Sequence, residues 1–159
     1  MTTTERFEIR RMIPADPTTI FDVLRDPHGH VAIDSSGMLQ DATGEPANAV
    51  GDTFVIHMDR ESLNDFPMGK YDVTVVITTF EKDEEISWEV QGANFPSLGH
   101  VYGYKLEPSE GGTLVTSYYD WSKIDDKVKE MGVFPIIPEL AIRATLGILA
   151  RHLALKAKT

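Results

Sequence analysis

Apolar and polar side chains alternate along most of the chain up to residue 121, and this two-residue period is typical of half-buried β-strands. The alternating segments are short and rich in β-branched and aromatic residues, and clusters of Gly, Pro, Asp and Ser separate them. They cover residues 6–13, 37–44, 51–60, 68–81, 86–92, 99–108 and 113–121. Successive short strands joined by turns predict an antiparallel meander of about six to seven strands.

Helical patterns interrupt this alternation. Asp16 is a good N-cap, Pro17 suits the first helical position, and the apolar stripe that follows predicts a short helix after the first strand. At most one further helical turn is expected within residues 30–37, and residues 122–132 predict a short helical connection. Residues 138–156 carry the longest pattern, which predicts a terminal helix of about 28 Å. We therefore predict an α+β fold in which one long helix lies across the whole concave face of an antiparallel sheet.

The terminal helix carries two apolar ridges when its residues are placed about 100° apart. One ridge holds Ile142, Leu146, Leu149 and Leu153, and the second holds Ile137, Ala144, Ile148 and Leu155. Between the ridges lie Ala141, Thr145 and His152, which are small or polar. A helix that plugs a solid core would place its largest hydrocarbons there, so we interpret this helix as a lid over a hollow. In the alternative interpretation, Thr145 bonds back to a carbonyl of the preceding turn and His152 reaches solvent or the last carbonyls.

Length and composition predict one globular domain over residues 1–159, because 42% of the residues are hydrophobic and 25% are charged. The net charge of −10 argues against binding to a phosphate backbone, which requires clustered Lys and Arg. The chain has no cysteine, which excludes disulfides, thiolate metal sites and cysteine nucleophiles. No segment approaches the roughly 18 apolar residues of a membrane span, and residues 1–11 lack the apolar stretch of a secretory signal. We therefore expect a cytoplasmic protein that neither binds nucleic acid nor inserts into a membrane.

Two segments resemble a known superfamily. Residues 7–27, FEIRRMIPADPTTIFDVLRDP, resemble the opening strand and helix of START/Bet v 1-like (SRPBCC) proteins, and residues 103–116, GYKLEPSEGGTLVT, resemble their final hairpin. With the terminal helix, the resemblance covers nearly the whole chain, and it is greatest to the polyketide cyclase/dehydrase and lipid-transport branch. It implies a helix-grip fold, with two short helices after strand 1 and a curved antiparallel sheet around the terminal helix and an internal apolar cavity. Many relatives carry a tryptophan after the first helix, whereas residues 28–37 of this chain contain none.

We predict that this cavity binds a hydrophobic small molecule, such as a lipid or a polyketide-like compound. Apolar walls with a few convergent hydroxyl groups suit a ligand of medium size that carries roughly one or two oxygen atoms. If the apolar face of each strand faces the helix, the lining consists of Phe54, Met58, Tyr71, Trp88, Tyr102, Tyr104, Ser117, Tyr119 and Trp121, with Ala141, Thr145 and His152 above them. In the alternative interpretation, these aromatic residues fill a solid core. A register error of one residue in any strand would invert its contribution.

A second hypothesis is an enzyme of the polyketide cyclase or dehydratase type. The resemblance implies aldol closure and dehydration inside the cavity without metal or cofactor, and such chemistry needs acid and base groups near a carbonyl. The candidates are His100 and His152 on inner surfaces and Arg11 and Arg60 near strand ends, with Ser117 or a tyrosine as donor to an enolate oxygen. No residue-level motif for this chemistry maps onto the chain.

A third hypothesis is a protein-interaction module, similar to the chaperone-activating members of the superfamily. It is based on the acidic net charge of the chain and on Gly147. This glycine lies toward the exposed side of the terminal helix, and glycine is unfavourable in a helix interior. A homodimer is an open alternative under any of the three hypotheses.

Metal binding is the weakest of the site hypotheses. His28, His30 and Asp34 could be drawn as a metal site, but alternating histidines in a loop are usually solvated. His57 falls on the polar face of its strand, so we place it outside the sheet with Asp59. We therefore expect neither a metal nor a cofactor.

Overall fold

The computed structural model describes residues 4–92 and 97–159, and within those ranges it contains seven strands and four α-helices. The strands are β1 (Arg6–Ile13), β2 (Leu39–Thr43), β3 (Thr53–Asp59), β4 (Lys70–Glu81), β5 (Glu85–Gly92), β6 (Val101–Ser109) and β7 (Gly112–Asp120). The helices are α1 (Pro17–Arg25), α2 (Pro27–Ile33), α3 (Asp126–Glu130) and α4 (Glu139–Ala157), and a short 3-10 helix covers Glu61–Leu63.

All seven strands join one antiparallel sheet in the order β1-β7-β6-β5-β4-β3-β2. The strands from β2 to β7 form the predicted meander, and β1 pairs with β7, so the first and last strands are neighbours. The predicted α+β helix-grip arrangement, with two short helices after β1 and a long terminal helix, is confirmed. Within residues 4–92 and 97–159, no helix combines the length and the hydropathy that crossing a membrane requires.

The concave face of the sheet holds the side chains that the two-residue period predicted. Phe54 and Ile56 of β3 are buried on this face, and their cross-strand partners Val75 and Val73 of β4 are buried beside them. Buried cross-strand pairs of this kind fix the register, because a slip by one residue would turn every apolar side chain toward solvent. The inward faces of these two strands are therefore as predicted.

A β-bulge bends the long strand β4. Its register against β5 shifts between Ile77 and Thr79, so the inward alternation resumes at Phe80. The Phe80 ring then packs against Phe21 of α1, with ring centroids 5.3 Å apart. Bulges increase the local twist of a strand, so this one helps the sheet to curve around α1.

The two short helices begin at repeated Asp-Pro pairs. Asp16 accepts a hydrogen bond from Thr19 N at 2.8 Å ahead of α1, and Asp26 accepts one from His28 N at 3.0 Å ahead of α2. Each cap satisfies a backbone N–H that the first turn leaves without a partner, and the following proline suits the first helical position. The expectation of at most one turn after α1 was wrong, because Asp26 both ends α1 and caps the seven residues of α2.

The terminal helix α4 covers only part of the concave face. Its first ridge is buried as predicted, namely Ile142, Leu146, Leu149 and Leu153. Of the second apolar ridge, Ile137 and Ile148 pack against the core, whereas Ala144 and Leu155 are exposed. The closest backbone neighbours of α4 are β1, β7 and α2, whereas α2 packs over β2 and β3. Because α1 packs against β6 and Phe80 of β4, three helices share the concave face, and α4 does not cross the whole sheet.

Candidate functional site

The centre of the concave face is less completely covered than the side under α4. β5 is the fourth of the seven strands, yet its inward-facing Trp88 and Val90 are half-buried, and so is Tyr102, the partner of Trp88 on β6. Val115 and Tyr119 of β7, on the side that α4 covers, are fully buried. A solid core would bury the central side chains most deeply, so the centre of this sheet is incompletely covered. We use the name concave recess for the half-open area formed by Met58, Tyr71, Trp88, Val90 and Tyr102.

Stacked aromatic rings form one wall of the recess. The Trp88 and Tyr102 rings are nearly parallel, with centroids 6.1 Å apart and an interplanar angle of 15°. Tyr102 stacks in turn on Tyr119 at 4.5 Å and 19°. These residues are direct cross-strand partners on β5, β6 and β7, so strand pairing itself aligns the rings. The result is a row of nearly parallel aromatic rings of fixed orientation.

His30 of α2 lies at the edge of this row of aromatic rings. Its ring centroid is 4.6 Å from Trp88 and 5.2 Å from Phe54, and the side chain is buried. Its Nε2 lies 2.7 Å from Leu24 O, and because a carbonyl only accepts hydrogen bonds, Nε2 carries the proton. Burial lowers the pKa of His30 to about 4, so the imidazole is neutral near pH 7. The expectation that this histidine lies in a solvated loop was wrong.

The structure does not bring His28, His30 and Asp34 together. His28 is exposed and faces Asp26 and Asp41 at 3.8 and 3.7 Å, whereas His30 points into the core. The Asp34 carboxylate accepts hydrogen bonds from Ser36 and Leu39, which shape the turn after α2. Across residues 4–92 and 97–159, no cluster of three His, Asp or Glu side chains has the spacing of a metal site.

His100 and Tyr119 form a buried polar pair at the start of β6. His100 Nδ1 lies 2.8 Å from Tyr119 Oη, and the two rings meet edge to face at 5.6 Å. Burial lowers the pKa of His100 to about 4 and raises the pKa of Tyr119 to about 12. Both groups are therefore neutral near pH 7, and this hydrogen bond joins two uncharged partners.

Tyr102 and Tyr104, two further phenols of the inner face, are also neutral near pH 7. Burial raises the pKa of Tyr102 well above its usual value, and the neighbouring Tyr119 raises it further. Burial raises the pKa of Tyr104 to about 12, although a hydrogen bond with Ser117 opposes the shift. The recess therefore presents hydroxyl groups that donate or accept hydrogen bonds without carrying charge.

Arg60 closes one corner of the recess beside Tyr71. Its Nε and Nη2 donate to the two Asp65 oxygens at 2.9 and 2.8 Å, and its guanidinium lies 5.1 Å from the centroid of Phe66. The hydrogen bonds with Asp65 raise the pKa of Arg60, burial opposes the shift, and a hydrogen bond with Tyr71 adds to it. The candidate catalytic Arg60 is thus held in a bidentate ion pair.

Arg11 lies outside the recess. It occupies an inward register of the edge strand β1, but its side chain is exposed and its Nη1 lies 3.7 Å from the position of a Cβ on Gly147. The guanidinium therefore rests on α4 where the helix lacks a side chain. This contact is a packing relationship for Gly147 that the sequence pattern did not reveal.

On α4, the three residues predicted to face the hollow are half-buried, namely Ala141, Thr145 and His152. The Thr145 hydroxyl lies 3.0 Å from both Ala141 O and Ser35 Oγ, and Ser35 donates to Ala141 O at 3.1 Å. The alternative interpretation, in which Thr145 bonds back to the preceding turn, is therefore confirmed. Burial lowers the pKa of His152, and the nearby Lys156 charge lowers it further.

The predicted lining divides into two groups. Met58, Tyr71, Trp88 and Tyr102 are half-buried and border the recess. Phe54, Tyr104, Ser117, Tyr119 and Trp121 are buried and belong to the packed core behind it. The two-residue period of the strands identified the inward face, but it does not predict the exposed fraction of each side chain on that face. His30 was missed because only the capping of α2 turns it inward.

Exposed apolar side chains surround the end of the sheet where the recess opens. Because neighbouring strands are antiparallel, the β3–β4 loop and the segment between β7 and α4 meet at the same end. Phe134 packs edge-on against His100 at 5.0 Å and holds this segment to the sheet. We use the name apolar rim for five of the exposed side chains of this region, which expose 37% to 75% of their surface: Phe66, Met68, Val133, Ile136 and Leu140.

Two open depressions lie on the described surface away from α4. One, of about 520 Å³, adjoins the recess at Met58 and Tyr71 and is otherwise lined by Gln40, His57, Asp59, Lys70 and Asp72. His57 lies on the outer face as predicted, with Nδ1 2.8 Å from Asp72 and Nε2 2.7 Å from Thr43. The other, of about 360 Å³, lies on the outer face and is lined mainly by glutamates.

Comparison with known proteins gives structural neighbours only. Protein CV1439 from Chromobacterium violaceum superposes with a TM-score of 0.67 at 15% identity, over 94% of this chain and 96% of that one. An AHSA1-like protein from Aeromonas hydrophila superposes with a TM-score of 0.61 at 16% identity, over 96% and 94%. The Aha1 dimer from Colwellia psychrerythraea gives 0.59 at 21% identity, over 93% and 95%. No protein-family model and no curated protein sequence matches the chain.

These likenesses span nearly the full length of both partners in each comparison. At such low identity they establish the fold and leave the activity open. The seven-stranded antiparallel sheet, the paired short helices and the terminal helix therefore identify the chain as a helix-grip protein of the Bet v 1-like fold class, with AHSA1-like proteins among its structural neighbours.

Proposed function

We propose that this protein binds a hydrophobic small molecule in the concave recess. The observation that supports the proposal is the half-buried state of Trp88 and Tyr102 at the centre of the sheet, where a solid core would be tightest. Largely apolar pockets with a few convergent polar groups are typical of small-molecule sites. The recess combines both properties in one place.

The lining favours a flat and uncharged ligand. Trp88 and Tyr102 offer a rigid aromatic surface, on which a fused-ring compound stacks better than a flexible acyl chain. Tyr102 and His30 are neutral near pH 7, and Arg60 is paired with Asp65. We therefore propose a polyketide-like aromatic compound with a few oxygen atoms, in preference to a fatty acid. The resemblance to the polyketide cyclase and lipid-transport branch agrees with this choice.

Native mass spectrometry of the protein as purified tests this function. A retained small molecule, released on denaturation, is the expected result, and the aromatic polyketide emodin should occupy the recess if the protein arrives empty. A protein that carries no small molecule and shows no complex with emodin at saturating concentration would contradict the proposal. A stoichiometric partner protein in the spectrum would favour the interaction hypothesis instead.

The second candidate function is catalysis beside the recess, and it is favoured by the hydrogen bond of 2.8 Å between His100 and Tyr119, because Tyr119 stacks on Tyr102 of the recess. A neutral imidazole beside a phenol can relay a proton to or from a carbonyl compound, as ring closure and dehydration require. Turnover of a polyketide-like substrate that collapses in His100→Ala is the expected result. Unchanged rates in both His100→Ala and His152→Ala would remove these assignments.

A third candidate is an interaction module, favoured by the apolar rim. The Colwellia neighbour is described as a dimer, and Leu140 exposes 75% of its surface on α4. We propose that the rim contacts a second copy of this chain. Light scattering of Leu140→Lys tests this idea, with Leu155→Lys at the far end of α4 as the matched control. A monomer at every concentration of the unaltered protein would contradict it.

A further inference from the structure

His30 has one hydrogen-bond acceptor, Nδ1, for which the described residues supply no partner. Nε2 donates to Leu24 O, which leaves Nδ1 with a free lone pair. No hydrogen bond from residues 4–92 or 97–159 reaches Nδ1. A buried polar atom without a partner is costly, so each such atom requires an explanation.

The His30 side chain is not fully enclosed. It keeps 9% of its surface exposed, and Nδ1 is not among the described buried polar atoms without a partner, which are Asp83 Oδ1 and Ser97 Oγ. A molecule bound beside Trp88 would meet the imidazole at this exposed part.

The imidazole cannot turn away from its position. The Nε2 hydrogen bond fixes one edge of the ring, while Trp88 and Phe54 contact it edge to face at 4.6 and 5.2 Å. The acceptor therefore stands at a fixed place beside the Trp88 ring. A ligand bound against Trp88 would therefore lie next to the imidazole.

We propose that His30 Nδ1 accepts a hydrogen bond from a hydroxyl or N–H group on the edge of the ligand, so that the recess selects phenols over their methyl ethers. This inference rests on the proposed binding function. A phenol satisfies the free lone pair, whereas a methyl ether offers only a second acceptor and leaves both atoms without a donor. A ligand carboxylate is disfavoured for the same reason, because it also lacks a proton to donate.

Titration calorimetry with 2-naphthol and 2-methoxynaphthalene tests the inference. The two probes share the ring system and differ at the group that would meet His30. Wild-type protein should bind 2-naphthol about tenfold more tightly, the usual size of one hydrogen bond in a desolvated site. His30→Phe, which keeps an aromatic ring beside Trp88, should bind both probes with equal affinity. His30→Gln, which retains a donor and an acceptor, should recover part of the preference and covers the case in which His30→Phe fails to fold.

The outcomes separate this inference from the proposed function. Equal affinity of wild-type protein for both probes would overturn the role of His30 while leaving the recess as a binding site. A preference for 2-naphthol that persists in His30→Phe would assign the acceptor to another residue and overturn the inference. Failure of the wild-type protein to bind either probe would contradict the proposed function itself.

Discussion

Trp88 and Tyr102 face each other across β5 and β6 with their rings nearly parallel, 6.1 Å apart, and both remain half-buried at the centre of the sheet. Their position reflects how the helices divide the concave face. α4 lies over β1 and β7, and α2 lies over β2 and β3, while α1 packs against β6 and against Phe80 of β4. The part of the middle strands around Trp88 and Tyr102 therefore receives less cover. The same division places His30 of α2 next to Trp88.

The stability of the fold should decrease as the pH falls below neutrality. Burial lowers the pKa of His30 and His100 from 6.5 to about 4, so between these values the unfolded chain binds more protons than the folded chain. Each histidine therefore contributes up to about 3 kcal/mol to the free energy of unfolding. This contribution is present in full above pH 6.5 and is lost as the pH falls toward 4. Urea unfolding at about pH 7 and about pH 5 measures the difference.

The control for this prediction is the double variant His30→Gln and His100→Gln. Its free energy of unfolding should vary less with pH over the same interval, because glutamine does not titrate. Equal slopes for the two proteins would show that these histidines do not cause the pH dependence.

Gly147→Ala should stabilise the protein. The nearest atom to the new methyl group is Arg11 Nη1 at 3.7 Å, an ordinary contact with the end of a flexible side chain. Alanine is favoured over glycine in a helix interior by up to about 1 kcal/mol. Thermal unfolding should therefore show a higher Tm.

Gly103→Ala provides the contrast on the sheet. A methyl group there would overlap the Tyr118 ring, which is buried on the outer face and donates to Glu85 at 2.6 Å. The variant should lose about 1 to 3 kcal/mol of stability from overpacking. A stabilised Gly103→Ala, or a Gly147→Ala that loses stability, would contradict the packing described here.

Asp26→Ala should weaken both the fold and ligand binding. Removal of the carboxylate that accepts from His28 N costs about 1 kcal/mol at a typical N-cap. Because α2 carries His30, fraying of its first turn should also reduce affinity for 2-naphthol. Asp16→Ala removes the equivalent cap of α1 and should lower stability by a similar amount without a comparable loss of affinity. Equal loss of affinity in the two variants would contradict the role assigned to α2.

The sequence was sufficient to predict the strands and their inward faces, because a two-residue period and turn residues act locally. Phe54, Val75 and the β7 residues accordingly lie where the pattern placed them. The lateral position of α4 depends on where α2 packs, which no local pattern encodes. The depth of α2 in turn depends on the double role of Asp26, so the inward orientation of His30 was not predicted. The bulge after Ile77 is likewise a tertiary feature.

The half-open centre of the sheet is tested most directly by filling it. Val90 and Val76 are both half-buried valines on neighbouring strands, but Val90 faces the concave recess and Val76 lies on the opposite face of the sheet. Isothermal titration of emodin into Val90→Trp and Val76→Trp should show loss of binding in Val90→Trp alone, with both proteins folded. Binding that survives in a folded Val90→Trp, or that is lost equally in Val76→Trp, would contradict the account.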